Sequence, residues 1–183
     1  MTALTQADQL TVLRMLLIPA FVILVVYGHL GWALIVFGTA GLTDALDGLI
    51  ARRSGEKSSL GAWLDPMADK LLLVTTFVVL TLPGLGLTNP LPIWLTVLII
   101  SRDVGIVLTV AIINLAIGPH TFRPSIYGKV ATATYILTAV LAMFFNYSEY
   151  RSVVVDVAVY ASLGITLVSG LHYIWQVSRI INT

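Results

Sequence analysis

Residues 42–70 read LTDALDGLIARRSGEKSSLGAWLDPMADK and place four aspartates in a chain that is otherwise strongly apolar. Asp44 and Asp47 are three residues apart, and Asp65 and Asp69 are four apart. If both segments are helical, each pair projects from one face of its helix. A charged side chain at membrane depth costs about 2.5–3.5 kcal/mol even on a translocon-insertion scale, so four acids in apolar helices predict a functional site.

The residue types around the aspartates indicate what this site binds. Carboxylates without His or Cys suit hard cations, whereas zinc or copper would call for nitrogen or sulfur ligands. Gly48, Ala51 and Gly61 leave space in which a ligand or a second backbone can approach closely. Arg52 offers a forked cation that suits a phosphate. The stretch therefore predicts a metal–diphosphate site.

The order D-x2-D-G-x2-A-R-x8-G-x3-D-x3-D is complete between Asp44 and Asp69. It resembles the signature of the CDP-alcohol phosphatidyltransferases, integral membrane enzymes of phospholipid synthesis. The resemblance implies two divalent cations, Mg²⁺ or Mn²⁺, held by Asp44, Asp47, Asp65 and Asp69, with Asp69 also serving as the general base. It further implies that the CDP moiety and its diphosphate are bound by Thr43, Gly48, Ala51, Arg52 and Gly61.

Composition places the chain in a membrane. Its 183 residues are 58% hydrophobic and 10% charged, with a mean hydropathy of +0.96. Soluble domains carry about 25% charged residues, so we expect a multi-pass membrane protein with one domain over residues 1–183. The absence of cysteine excludes thiol catalysis and Cys-ligated metals. A net charge of +1 argues against a general role in nucleic-acid binding.

The apolar runs predict an all-α membrane protein of six transmembrane helices, preceded by a short interfacial helix over residues 2–9. The predicted spans are 10–27, 31–52, 61–82, 91–117, 125–145 and 152–180. The second apolar run ends at Leu42, too early for a bilayer that needs about 20 residues, so its span continues to Arg52 and contains two of the aspartates. Helices two and three are then antiparallel, and all four aspartates fall at the same end.

Basic residues concentrate at the aspartate end of the spans: Arg14, Arg52, Arg53, Lys57, Lys70, Arg123, Lys129 and Arg179. By the positive-inside rule, this end faces the cytoplasm and both termini lie there. We therefore expect an enzyme of the cell (inner) membrane whose active site faces the cytoplasm. The family resemblance suggests a homodimer.

Four cations are candidates for binding the acceptor substrate: Arg14, Arg102, Arg123 and Lys129. The resemblance implies that cations on the fourth and fifth helices bind the acceptor phosphate. Lys129 lies in RPSIYGKVATATY, which resembles the family's G/S-K-x-x-T element. Arg102 and Asp103 are adjacent, so we expect them not to face one another on a helix. A structural pairing of either residue with another helix is the alternative.

Two acceptors remain open. The architecture and the DPMADK segment resemble phosphatidylglycerophosphate synthases, which transfer a phosphatidyl group from CDP-diacylglycerol to glycerol-3-phosphate and release CMP. The segments IISRDVGIVL and RPSIYGKV instead resemble cardiolipin synthases, whose acceptor is phosphatidylglycerol. A divalent-cation transporter is the alternative from another class, but transporter sites lie near the bilayer midplane, whereas these acids cluster at one membrane face.

Overall fold

The computed structural model describes residues 6–54, 59–116 and 125–181, and describes side chains over 11–43, 67–115 and 125–179. Within these ranges the regular structure is entirely α-helical. The helices are α1 (Gln6–Val26), α2 (Leu30–Ser54), α3 (Ser59–Thr81), α4 (Ile93–Ala116), α5 (Ile126–Tyr147) and α6 (Val153–Ile181). The six apolar runs of the sequence therefore correspond to six helices.

Helix boundaries agree with the predicted ones to within about four residues, the largest difference being at the start of α1. Gln6 begins α1, which runs to Val26 without a break. Within the described part of the chain, residues 6–9 are thus the first turn of α1 and not a separate interfacial helix, while residues 2–5 lie outside it. The physical reason is that no glycine or proline interrupts the helix between Gln6 and Thr11.

Among the residues with described side chains, three helices are long and apolar enough to cross a membrane: Ile93–Leu115, Ile126–Tyr147 and Val153–Arg179. Shorter apolar stretches occupy Thr11–Val26 of α1 and Leu30–Thr43 of α2. Large apolar side chains also point outward, for example Leu115, which is 89% exposed. Such exposure is unfavourable in water but natural against lipid tails, which are as apolar as leucine. The chain is a membrane protein.

By internal contacts, the helices fall into two compact units. The first contains Met1–Pro90 and Met143–Arg151. Here α1 packs against both α2 and α3. Phe21 of α1 meets Phe37 of α2 with ring centroids 6.1 Å apart. Fully buried alanines on α2, Ala33 and Ala40, allow this close approach.

The loop after α3 is tied within the same unit by an asparagine pair. The Asn89 backbone N–H donates to Asn146 Oδ1 at 2.7 Å, and Asn146 Nδ2 donates back to the Asn89 carbonyl at 3.1 Å. Asn89 Nδ2 also donates to the Tyr150 carbonyl at 2.8 Å. These bonds satisfy a buried polar loop that would otherwise be costly in an apolar surrounding.

The second unit contains Leu91–Ala142 and Ser152–Thr183. Here α4 packs against α6, and α5 meets α6 through buried hydroxyls. The hydroxyl oxygens of Tyr135 and Thr166 are 2.6 Å apart, and those of Thr138 and Ser162 are 2.9 Å apart. Hydroxyl pairs of this kind join membrane helices where no hydrophobic effect draws the helices together.

Candidate functional site

The best-defined feature of the first unit is an ion pair between α1 and α3. The Arg14 Nη1 nitrogen donates to Asp69 Oδ1 at 2.7 Å. The Arg14 side chain is fully buried, whereas 45% of the Asp69 side chain is exposed. The arginine therefore binds one oxygen of the carboxylate from the buried side, and the exposed part of the carboxylate is accessible to a ligand.

The local sequence explains why Arg14 is buried here. Thr11 and Arg14 lie three residues apart on α1 and are both fully buried, so they share a face that turns away from the surroundings. On α3, the neighbours Ala68 and Leu72 are buried beside Asp69. A cation buried within an apolar helix pair is expensive unless it is paired, and Asp69 supplies that partner.

Asp69 meets the chemical requirements of a ligand to a hard cation. Its donors are oxygens, its carboxylate is half-exposed, and a second residue fixes its orientation, as is usual for ligating carboxylates. Among the side chains that the structure describes, no three His, Cys, Asp or Glu residues form a metal-binding group. The side chains of Asp44, Asp47 and Asp65 lie outside that part, although Asp44 and Asp47 are on α2 and Asp65 is on α3.

Of the residues predicted to bind the CDP moiety, only Thr43 has a described side chain. It is half-buried, and its hydroxyl donates to the Ala40 carbonyl at 2.8 Å, which leaves the oxygen able to accept a further bond. The remaining members, Gly48, Ala51 and Arg52 on α2 and Gly61 on α3, fall outside the described side chains. The antiparallel pairing of α2 and α3 at the aspartate end stays a prediction.

The second unit contains two of the predicted acceptor cations, Arg102 and Lys129, in the lining of one cavity of about 330 Å³. Arg102 comes from the middle of α4 and Lys129 from the first turn of α5. Ser169 of α6 accepts a hydrogen bond from Arg102 Nη2 at 2.5 Å. Arg123 lies outside the described residues, and Arg14 belongs to the first unit.

The expectation that Arg102 and Asp103 do not face one another was wrong. Arg102 Nη1 donates to Asp103 Oδ1 at 2.7 Å, and both side chains are largely buried. Adjacent Cβ atoms do diverge on a helix, but the three-carbon stem of arginine is long enough to fold back to its neighbour. The guanidinium thus bridges Asp103 and Ser169, and its buried Nε has no hydrogen-bond partner in the described part of the structure.

Gly128 allows Arg102 to reach this position. A Cβ at residue 128 would lie 3.3 Å from Arg102 Nη2 and 3.6 Å from Ser125 Oγ. The first distance is tighter than ordinary contact, so a side chain here would push on the guanidinium. The cavity thus depends on a glycine one residue before Lys129.

Residues 4–168 match the sequence profile of CDP-alcohol phosphatidyltransferase. The chain belongs to the CDP-alcohol phosphatidyltransferase family. As a member of that family it is a phospholipid-synthesis transferase, as the aspartate motif predicted. The matched residues include helices of both units.

Relatives of this phosphatidyltransferase are named for two different products. It is similar to the probable phosphatidylglycerophosphate synthase of Mycobacterium tuberculosis H37Rv, at 32% identity over 94% of this chain and 81% of the relative. It is also similar to the CMP-forming cardiolipin synthase of Streptomyces coelicolor, at 31% identity over 97% of this chain and 85% of the relative. The human CMP-forming cardiolipin synthase is 34% identical over 79% of this chain and 53% of its own length.

Sequence reasoning missed the three polar residues by which α6 lines the cavity of this phosphatidyltransferase: Ser169, Tyr173 and Gln176. They follow no metal or phosphate motif. The one available signal was that polar residues recur at helical spacing, 169, 173 and 176, on an apolar span. That pattern marks a helix face turned toward protein and not toward lipid.

Proposed function

We propose that this enzyme transfers the phosphatidyl group of CDP-diacylglycerol to a hydroxyl of a glycerol-type acceptor and releases CMP. The two acceptors in question are glycerol-3-phosphate, which gives phosphatidylglycerophosphate, and phosphatidylglycerol, which gives cardiolipin. The observation that carries the proposal is the Arg14–Asp69 pair, because it presents an oriented carboxylate at the last position of the aspartate motif.

The reaction is a substitution at phosphorus. The acceptor hydroxyl gives its proton to Asp69, and its oxygen forms a bond to the phosphorus that carries the diacylglycerol. The bond from this phosphorus to the bridging oxygen of the diphosphate breaks, and CMP leaves with the electron pair. Arg14 keeps Asp69 in one orientation during the proton transfer. Its complete burial supports this positioning role in place of the acceptor-binding role expected from the sequence.

Two divalent cations, Mg²⁺ or Mn²⁺, would be held by Asp44, Asp47, Asp65 and Asp69. Bound there, they would neutralise the diphosphate and stabilise the charge of the departing CMP. The chain itself supplies four carboxylates from two helices. The proposed binding site for the CDP moiety is formed by Thr43, Gly48, Ala51, Arg52 and Gly61. Arg52 would add a bidentate contact to a phosphate oxygen.

Recognition of the acceptor is assigned to the cavity of Arg102 and Lys129. Both acceptors carry a phosphate ester next to free glycerol hydroxyls, and two cations beside Ser169 suit such a group. Asp103 partly neutralises Arg102, so the exposed Lys129 carries much of the attraction for an anion. Arg123, in the segment before α5, is proposed as a further cation of this site.

All six helices are proposed to span the membrane as one domain, with both termini and the active site on the cytoplasmic side of the cell (inner) membrane. The aspartate motif lies on α2 and α3, where its charged residues lower the hydropathy without shortening the helices. A homodimer is proposed from the family resemblance.

Release of CMP from labelled CDP-diacylglycerol by the purified enzyme tests the proposal. In detergent with Mg²⁺, we expect CMP and a labelled lipid product in equal amounts, and only when a glycerol-type acceptor is present. A divalent-cation transporter would release no CMP and would instead move ions across vesicles.

A further inference from the structure

The acceptor cavity of the second unit has a second cavity against it. This one measures about 390 Å³ and lies between α4 and α6. Arg102, Ile106 and Tyr173 line both cavities, so these three side chains form their common wall. A ligand bound at Arg102 can therefore extend into either cavity: the first, which Lys129 also lines, or the second, between α4 and α6.

The second cavity is an apolar groove. Apart from Arg102, its larger side chains are apolar or aromatic: Leu98, Ile106, Leu167, Leu171, Tyr173 and Ile174. Its two threonines do not offer their hydroxyl protons to a ligand. Thr109 donates to the Gly105 carbonyl at 2.7 Å, and Thr166 donates to the Ser162 carbonyl at 2.5 Å.

Two glycines keep this groove open. Gly105 on α4 and Gly170 on α6 both line it. A Cβ built on either glycine meets no atom within 4 Å, so the space beside them is unfilled. Glycine costs helix stability relative to alanine, and neither position here requires it for backbone conformation or close packing. The open space is consistent with a ligand that lies along the helices.

We infer that this groove holds an acyl chain of the acceptor, so that the acceptor is a phospholipid with a glycerol headgroup, namely phosphatidylglycerol. This rests on the proposed function. The phosphodiester lies at Arg102 and Lys129, the headgroup glycerol occupies the polar cavity, and one chain follows α4 and α6. Glycerol-3-phosphate is small enough for the polar cavity alone and leaves the groove without a role.

Charge complementarity selects this occupant over a second protein copy or an unrelated lipid. The groove begins at a largely buried guanidinium whose Nε has no hydrogen-bond partner in the described part of the structure. An anionic amphiphile satisfies both ends, whereas an apolar helix face of another copy offers nothing to Arg102. A lipid tail gains no hydrophobic free energy when it moves from the bilayer into the groove. The groove therefore serves to position the acceptor and not to raise its affinity.

The test compares Gly170→Leu, which fills the groove, with Gly164→Leu on the same helix. Gly164 also has nothing within 4 Å of a built Cβ but does not line the groove, which makes it a matched control. Each variant is assayed for CMP release with three acceptors: phosphatidylglycerol, its deacylated headgroup glycerophosphoglycerol, and glycerol-3-phosphate. Gly105→Leu, from the facing helix, is the second groove variant, for use where Gly170→Leu fails to fold.

We expect the wild-type enzyme and Gly164→Leu to make cardiolipin from phosphatidylglycerol. Gly170→Leu should lose about tenfold in kcat/KM for phosphatidylglycerol, because leucine overpacks the path of the chain, and should keep its activity on glycerophosphoglycerol. Equal losses on both acceptors would overturn the inference, and a change in oligomer size beside them would place a second copy in the groove.

Other outcomes separate the inference from the proposed function. If glycerol-3-phosphate is the only one of the three acceptors that the enzyme uses, the inference that the groove holds an acyl chain is wrong, whereas the proposed phosphatidyl transfer is supported. Unchanged phosphatidylglycerol turnover in both groove variants overturns the groove as well. If the enzyme releases no CMP with any of the three acceptors, the proposed function itself is wrong.

Discussion

The Nη1 nitrogen of Arg14 lies 2.7 Å from Oδ1 of Asp69, although the two residues are 55 positions apart. The contact is asymmetric, with the guanidinium fully buried and the carboxylate nearly half-exposed. A cation so placed is closed to a bulky substrate, but it can fix the direction of the carboxylate, which in the proposed mechanism meets the acceptor. The first helix is therefore connected through α3 to the proposed aspartate site.

Replacing Arg14 tests this positioning role. Arg14→Met should lower kcat by roughly 10²-fold, because a carboxylate displaced by about 1 Å no longer has the geometry to accept the proton of the acceptor hydroxyl. The KM for CDP-diacylglycerol should change much less. Arg14→Lys, which keeps the charge but not the fork, should recover part of kcat. Steady-state kinetics of CMP release measure all three values.

A merely structural role for Arg14 gives a different result. In that case both variants would lose folded protein, seen as a lower midpoint of thermal unfolding in detergent, while the kcat of the folded fraction stayed at the wild-type value.

Asp69→Asn separates base chemistry from ligand binding. The amide keeps the size of the side chain but cannot take a proton, so turnover should fall to near background, by at least about 10²-fold. Binding of CDP-diacylglycerol, measured by equilibrium binding of labelled donor, should persist at a similar affinity. An equal loss of donor binding would assign Asp69 to the cations alone.

Gly128→Ala should weaken acceptor recognition selectively. The new methyl group would lie 3.3 Å from Arg102 Nη2, so the guanidinium must shift by a few tenths of an ångström. Alanine is the better helix former by about 1 kcal/mol, so lost stability would not explain lower activity. We expect the KM for the acceptor to rise roughly threefold to tenfold, near the lower end of the effect of one misfit methylene in a binding pocket, about 1–3 kcal/mol. The KM for the donor should stay the same. Gly164→Ala, with open space at its Cβ, is the control.

Tyr135→Phe should affect stability and not catalysis. Thr166 directs its proton to the Ser162 carbonyl, so the Tyr135 hydroxyl donates to Thr166 across the α5–α6 contact. Its loss should lower the free energy of unfolding by about 0.6 kcal/mol, the mean for such bonds between membrane helices. Unfolding of the detergent-solubilised protein in increasing SDS measures the change. A large fall in kcat at unchanged stability would place Tyr135 in the acceptor site instead.

The sequence predicted the helices well because their boundaries are local. Gly28 ends the first apolar run with φ of 77°, and Gly84 and Gly86 adopt φ of 89° and 64° in the turn after α3. Left-handed backbone of this kind favours glycine, so the turn residues were readable from the chain. The motif from Asp44 to Asp69 likewise depends on spacing within two neighbouring helices, which is why it identified the family.

What the sequence left out depends on packing between distant helices. No rule of spacing joins Arg14 to Asp69, so the sequence offered Arg14 as a candidate for the acceptor and did not predict its contact with a carboxylate on α3. Ser169 was missed for the same reason, since the recurrence of polar residues at 169, 173 and 176 marks a helix face but does not predict that Arg102 of α4 is its partner. The Arg102–Asp103 pair was misjudged because helical spacing describes Cβ directions and not the reach of a long side chain.

Metal-dependent release of CMP is the most direct test of the account. The purified enzyme, given labelled CDP-diacylglycerol and a mixture of glycerol-3-phosphate and phosphatidylglycerol, should release CMP in step with the labelled lipid product when Mg²⁺ or Mn²⁺ is present. A chelator should stop the reaction, and added Mg²⁺ should restore it. Full phosphatidyl transfer in rigorously metal-free buffer, or no CMP at any metal concentration, would contradict the account.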